Sequence, residues 1–240
     1  HCVSAWGHDF RPDYLMLMKK TLASLNNETS ILFCTATADE KVIEDIVNKT
    51  NLSSVIKGDL LRESLSVHSF GQQSFKFAIA WFKKNIEILE SSGIIYVLTV
   101  KRAEAVAQYL RLEVGIDALA YHGRLEPEER EEIENKLLTN KCKVVVATNS
   151  LGMGFDKPDL GFIIHLGLPK TLTDYYQQIG RAARKIENAH CIAISLNDDD
   201  YINEFFIKSK IPKQPISNII LDTIPKSPKR ITLEELTFKT

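Results

Sequence analysis

The sequence predicts an α/β fold: a parallel sheet with helices on both faces. Short apolar runs alternate along the chain with amphipathic stretches of helical spacing. The longest apolar runs, such as Ile94 through Leu98, end after five or six residues, far short of the ~20 a membrane helix requires. Composition agrees, since 44% hydrophobic against 25% charged residues is that of a packed globular chain. At 240 residues the chain fits one large domain, or one domain with parts of its neighbours.

Taken in order, 30–34 reads as a strand, followed by Thr35, Ala36, Thr37 and Ala38. A helix then starts near Asp39, with Val42, Ile43, Ile46 and Val47 on one face. Residues 64–69 form a strand or a linker, and 75–89 a helix. From there the alternation is regular. A strand at 93–99 precedes a helix at 101–114, whose Ala103, Val106, Ala107 and Leu110 keep helical spacing. A short strand at 117–120 leads to a helix at 126–138 that opens with Pro127 and several glutamates, where proline and negative charge are favoured. Buried strands follow at 144–148 and 162–166, then a helix at 171–179, a strand at 191–195 and a helix at 201–207 behind the Asn197–Asp200 cap. Beyond that, Pro212, Pro215, Pro225 and Pro228 interrupt the pattern, and residues from Thr232 begin a new helical one. The simplest partition is 1–62, 63–208 and 209–240.

Lysine plus arginine total 30 and aspartate plus glutamate 31, so the net charge of −1 advertises no polyanion partner. A local groove can still be basic in a neutral chain. Cys2, Cys34, Cys142 and Cys191 lie far apart without a Cys-x-x-Cys pair, which argues against zinc or a disulfide framework. Cys34 and Cys191 sit in apolar runs and read as buried thiols. No basic-then-apolar leader opens the chain, and the expected location is the cytosol, or the nucleus in a eukaryote.

Chemistry concentrates in two stretches. Residues 176–184, Tyr-Gln-Gln-Ile-Gly-Arg-Ala-Ala-Arg, place Arg181 and Arg184 on one face near a helix end, with Gly180 allowing close backbone approach. Guanidinium forks match phosphate oxygens and suit the charge of a transferring phosphoryl group. Residues 148–156 follow a buried strand and carry two glycines with small polar residues, a backbone-donor loop where α/β sheets bind ligands. Near the N-terminus, Trp6 and Phe10 offer faces for base stacking, and His8 and Arg11 can reach phosphates.

In this order the chain resembles the second RecA-like lobe of a superfamily two helicase, of RecQ-like type. Thr148–Asp156 resembles that family's motif five, Gln177–Arg184 its motif six, Gly93–Arg102 its motif four and Thr35-Ala36-Thr37 its motif three. Ala120-Tyr121-His122-Gly123, before an acidic helix, resembles the segment after motif four. His1 with the aromatic stretch to Tyr14 is similar to the end of an Asp-Glu-x-His box and its aromatic-rich loop. The resemblance covers roughly residues 1–208. It makes 1–62 the remnant of a first lobe, 63–208 the second lobe, and 209–240 a linker with the start of a further element, a winged helix being one reading.

The resemblance implies an ATP-dependent 3′-to-5′ DNA helicase of repair and recombination. Arg181, Arg184, Gln177 and His1 would be catalytic, and Gly154, Asp156 and Gly180 would serve the nucleotide. Trp6, Phe10, Arg11, Thr99, Arg102 and Thr148 would touch DNA, single-stranded or at a fork. ATP and Mg²⁺ are implied, with the phosphate loop and metal carboxylates outside these residues, so the chain alone is expected to be inactive. Neither zinc nor a membrane is expected as a partner. Two departures stand out: Ala183 lies where the family usually has glycine, and Lys185 where aspartate is common. An RNA helicase of the same superfamily and a non-catalytic nucleic-acid-binding scaffold remain as alternatives.

Overall fold

A computed structural model describes residues 62–89, 91–151 and 155–202, with 20, 24–26, 29–35, 40–50, 54–58 and 204. Six strands form one all-parallel sheet: β1 (Leu65–Gln73), β2 (Ser92–Val97), β3 (Ala118–Tyr121), β4 (Val144–Ala147), β5 (Leu160–Leu166) and β6 (Ala189–Leu196). Their spatial order is β1-β6-β5-β2-β4-β3. A parallel ladder needs long crossovers, and the intervening amphipathic stretches supply them. These are α2 (Phe75–Asn85), α3 (Val100–Tyr109), α4 (Pro127–Leu138) and α5 (Leu172–Ile179), while α1 (Glu40–Thr50) precedes the sheet.

Alternation along the strands sorts the core into two layers. Ile95 and Val97 of β2 point to the face covered by Ala78, Ile79 and Phe82 of α2 and Ala103, Val106 and Ala107 of α3. Ile94 and Tyr96 point to the opposite face, covered by Leu137 of α4 and Ile179 of α5. At the centre, Gly93 pairs with Phe162 across β2 and β5. A Cβ at Gly93 would lie 2.2 Å from the Phe162 ring, so glycine is what lets that ring into the first layer.

Local chemistry sets the helix ends. Ser74, Thr99 and Thr171 cap α2, α3 and α5 through their hydroxyls. In α4, the Glu126 N–H donates to Glu129 Oε2 at 2.9 Å, and Pro127 occupies the first turn. The helix predicted over 101–114 is α3 continued by one π turn, Leu110–Val114, which Gly115 ends at φ 76°.

Two expectations are corrected. Residues 30–34 carry no regular structure, and Leu32 is 84% exposed. The run has the composition of a buried strand, but no strand among the described residues pairs with it. Cys34, expected to be buried, is exposed for the same reason. The segment at 64–69 resolves as edge strand β1, paired with β6. Of the helix expected at 201–207, residues 199–202 and 204 are helical and the rest lies outside the described residues. No helix among the described residues is long and apolar enough to cross a membrane.

Candidate functional site

The arginine-bearing loop owes its position to α5. Thr171 starts this helix at the C-terminal edge of β5, its Oγ1 accepting from the Asp174 N–H at 3.0 Å. Eight residues at 1.5 Å rise return the chain by about 12 Å, so residues 180–185 arrive beside the beginning of β5. There the Ala183 N–H donates to the Leu160 carbonyl at 3.1 Å and the Lys185 N–H to the Pro158 carbonyl at 2.8 Å. Both neighbours of Arg184 are thus fixed through the backbone. Ala183 takes φ 50°, the left-handed region that favours glycine. That conformation gives a physical reason for the family's usual glycine, and here alanine tolerates it, with its methyl buried.

This geometry brings motif five and motif six together. Arg184 Nη1 lies 2.7 Å from Asp156 Oδ1, with both side chains substantially exposed. Arg181 Nη1 donates to the Phe155 carbonyl at 2.9 Å, and its Nε is buried with no hydrogen-bond partner among the described residues. Burial pushes the neighbouring Tyr96 hydroxyl up to about 12, with the Arg181 charge opposing the shift. Gly180 ends α5 in right-handed conformation, and Gln177 is half-buried one residue before Gln178.

Of the residues expected at nucleic acid, Thr99, Arg102 and Thr148 lie along the C-terminal edge of the sheet. Thr99 follows β2 and accepts from the Arg102 N–H at 3.2 Å. The Arg102 guanidinium pairs with Asp198 at 2.6 Å and lies over the Phe75 ring. Thr148 follows β4, and its hydroxyl is 2.9 Å from that of Ser150. His1, Trp6, Phe10, Arg11 and Gly154 lie outside the described residues.

A chain of hydrogen bonds, running from exposed Asn149 to buried His165, joins the motif-five loop to α5. Gln178 Nε2 donates to Asn149 Oδ1 at 3.2 Å, and Gln178 Oε1 lies 2.7 Å from His165 Nε2. Sequence reasoning singled out neither Gln178 nor Asn149. The usable signal was helical spacing, since Gln178 stands three residues after Tyr175 and just before Ile179, on the buried face.

His165 stacks on Tyr96 and meets the Tyr175 ring at a tilt. Burial pushes its pKa from 6.5 down to about 4, against a smaller opposing effect of the Gln178 hydrogen bond. The folded imidazole therefore stays neutral over a range in which the unfolded one is protonated. Its stability contribution is complete above pH 6.5 and is lost as pH falls towards 4. The loss expected over that window is about 3 kcal/mol. Urea unfolding at several pH values tests this by comparing wild type with His165→Asn. Equal pH slopes in the two proteins would contradict it.

Residues 80–185 match the family model described as the helicase conserved C-terminal domain. Together with the parallel sheet, this defines the class of the domain: the second, RecA-like lobe found in helicases. Over this lobe the chain is similar to RecQ-like DNA helicases. It is 40% identical over 194 residues to the ATP-dependent DNA helicase hus2/rqh1 of Schizosaccharomyces pombe, covering 80% of this chain and 14% of that protein. It is 37% identical over 198 residues to the RecQ-like DNA helicase BLM of Xenopus laevis, again covering 80% of this chain and 14% of the relative. The chain thus spans a small part of the length of these relatives. A solved structure titled S. cerevisiae Dbp5 bound to RNA and ADP BeF3 is similar with TM-score 0.64 at 18% identity, over 84% of this chain and 53% of that one. At such identity the likeness is one of fold.

Proposed function

We propose that this chain serves as the second lobe of an ATP-dependent DNA helicase of 3′-to-5′ polarity, closing on nucleotide and coupling its hydrolysis to movement along DNA. One observation carries the reading: Arg181 and Arg184 converge with Phe155 and Asp156, so that motif six and motif five form one cationic cluster. Two neighbouring guanidinium groups suit the γ-phosphate of ATP. Gln177 would orient nucleotide or water, and Asp156 would contact ribose or the facing lobe. Mg²⁺ belongs with the nucleotide, and its ligands are assigned to the first lobe.

At the sheet edge, Thr99 and Thr148 would meet the phosphodiester backbone. Arg102 would do so by exchanging Asp198 for phosphate, since its charge is already paired. The Asn149–Gln178–His165 chain supports a link between that edge and the arginine loop. DNA rather than RNA is favoured because the relatives at 37% and 40% identity are named DNA helicases. The RNA in the Dbp5 title accompanies a likeness of 18% identity.

Trp6 and Phe10 would report DNA to the catalytic box. Stacking is worth about 1–3 kcal/mol per base, which biases a two-state loop roughly tenfold to a hundredfold. In the intact protein, single-stranded DNA is expected to stimulate ATP hydrolysis far more than RNA does. Trp6→Ala should remove most of that stimulation while leaving the DNA-free rate and most DNA affinity in place. Preferential stimulation by RNA would overturn the substrate assignment. A parallel fall of both rates with earlier melting would make Trp6 a packing residue.

A further inference from the structure

Arg62 lies just ahead of β1, and its guanidinium reaches the far end of α5. It donates from Nη1 to the Gly180 carbonyl at 2.8 Å and from Nη2 to the Ala183 carbonyl at 2.7 Å. Its own backbone is anchored beside the sheet: the Leu65 N–H donates to the Arg62 carbonyl at 3.0 Å, and the Ala189 N–H to the Ser64 carbonyl at 2.9 Å.

The two acceptors are the carbonyls that most need a donor. Gly180 is the C-cap of α5, where helix carbonyls lose their intrahelical partners. Ala183 is the residue held in left-handed conformation. A cation at a helix C-terminus is favoured by the helix dipole, and a planar fork serves two carbonyls at once. Arg181 and Ala182 lie between those carbonyls, and Arg184 comes next. The β5 side holds this loop through the Ala183 and Lys185 N–H groups, and Arg62 holds it through the Gly180 and Ala183 carbonyls.

We propose that Arg62 is a positioning residue that sets the trajectory of the arginine loop. The proposal rests on Arg181 and Arg184 acting on the nucleotide. Without Arg62 the loop is held from one side only and can turn about its bonds to Leu160 and Pro158. A misplacement of about 1 Å at a group acting in the transition state costs on the order of a hundredfold in rate.

The test is ATP hydrolysis by the intact protein at saturating single-stranded DNA, with Arg62→Ala, Arg62→Lys and Arg184→Ala measured side by side. Arg62→Ala should lower kcat about a hundredfold, with the KM for ATP and the affinity for DNA nearly unchanged. Arg62→Lys, which keeps the stem and charge, should recover only part, because one ammonium does not reproduce the fork. Added guanidinium ion should restore part of kcat to Arg62→Ala, and methylammonium should not. Normal kcat in Arg62→Ala beside an inactive Arg184→Ala would overturn the proposal and leave the arginine assignment standing. Loss of kcat with an equal collapse of DNA affinity and no guanidinium rescue would assign Arg62 a general structural role and overturn it too. Wild-type turnover in Arg184→Ala would instead refute the arginine assignment, and this proposal with it.

Discussion

Arg184→Ala in the intact protein is expected to cut ATP turnover by about 10³–10⁵, the range known for arginines that stabilise phosphoryl-transfer charge. Nucleotide affinity should stay within about tenfold, because the interaction strengthens only as charge develops in the transition state. The structure makes the substitution a clean one. Arg184 is 42% exposed and its partner Asp156 64% exposed, and an ion pair of that kind contributes about 0–1 kcal/mol to stability. Folding is therefore expected to survive while turnover is lost. Arg184→Lys should not rescue, since an ammonium is a point charge without the planar fork. Steady-state hydrolysis with DNA, paired with nucleotide binding, checks both halves. Wild-type turnover in either variant would make Arg184 an ordinary surface residue.

The largest expected loss of stability comes from Asp159→Ala. The Lys157 side chain has no exposure, and its Nζ donates to Asp159 Oδ1 at 2.6 Å and to Asn140 Oδ1 at 2.9 Å. Ser92 Oγ donates to the same Asn140 oxygen, and Asn140 Nδ2 donates to Asp159 Oδ2. Removing Asp159 leaves a buried ammonium with only an amide oxygen, and breaking a buried pair from one side costs about 3–5 kcal/mol. Because Asp159 is itself 38% exposed, water can partly replace it, which places the loss near the lower end. The Lys157 hydrogen bond, then that of Asn140, holds the Asp159 carboxyl below the usual carboxylate range. Its contribution is therefore complete above the ordinary carboxylate pKa of about 4 and disappears as pH falls through the lower folded value. Urea unfolding at neutral pH should show the loss, and Lys157→Met in the Asp159→Ala background should restore part of it. A loss below about 1 kcal/mol would mean that water already solvates Lys157 in the fold.

Periodicity made most of the sheet legible. The apolar run at 144–148 has the length of a buried strand and forms β4, and Gly93 with its neighbours forms β2. The same reasoning failed at 30–34, because a strand exists only with a neighbour to pair and composition does not reveal the neighbour. Motifs five and six were visible as residue types, yet their meeting through Arg184 and Asp156 is a consequence of α5 running back along β5. Arg62 could not be found from spacing, since its acceptors lie more than a hundred residues away. Nothing in the sequence marks Lys157, and only the fold shows it buried against Asp159. Gln178 was within reach of sequence, because it falls on the apolar face of a helix whose opposite face was being read for function.

Strand displacement by the intact protein tests the central claim most directly. The substrates are a DNA duplex with a 3′ single-stranded tail and its 5′-tailed and RNA counterparts, each with ATP and with a non-hydrolysable analogue. The account predicts separation of the 3′-tailed DNA duplex with ATP, none with the analogue, and little on RNA. ATP hydrolysis without separation of any DNA duplex, or separation of RNA in preference to DNA, would contradict it.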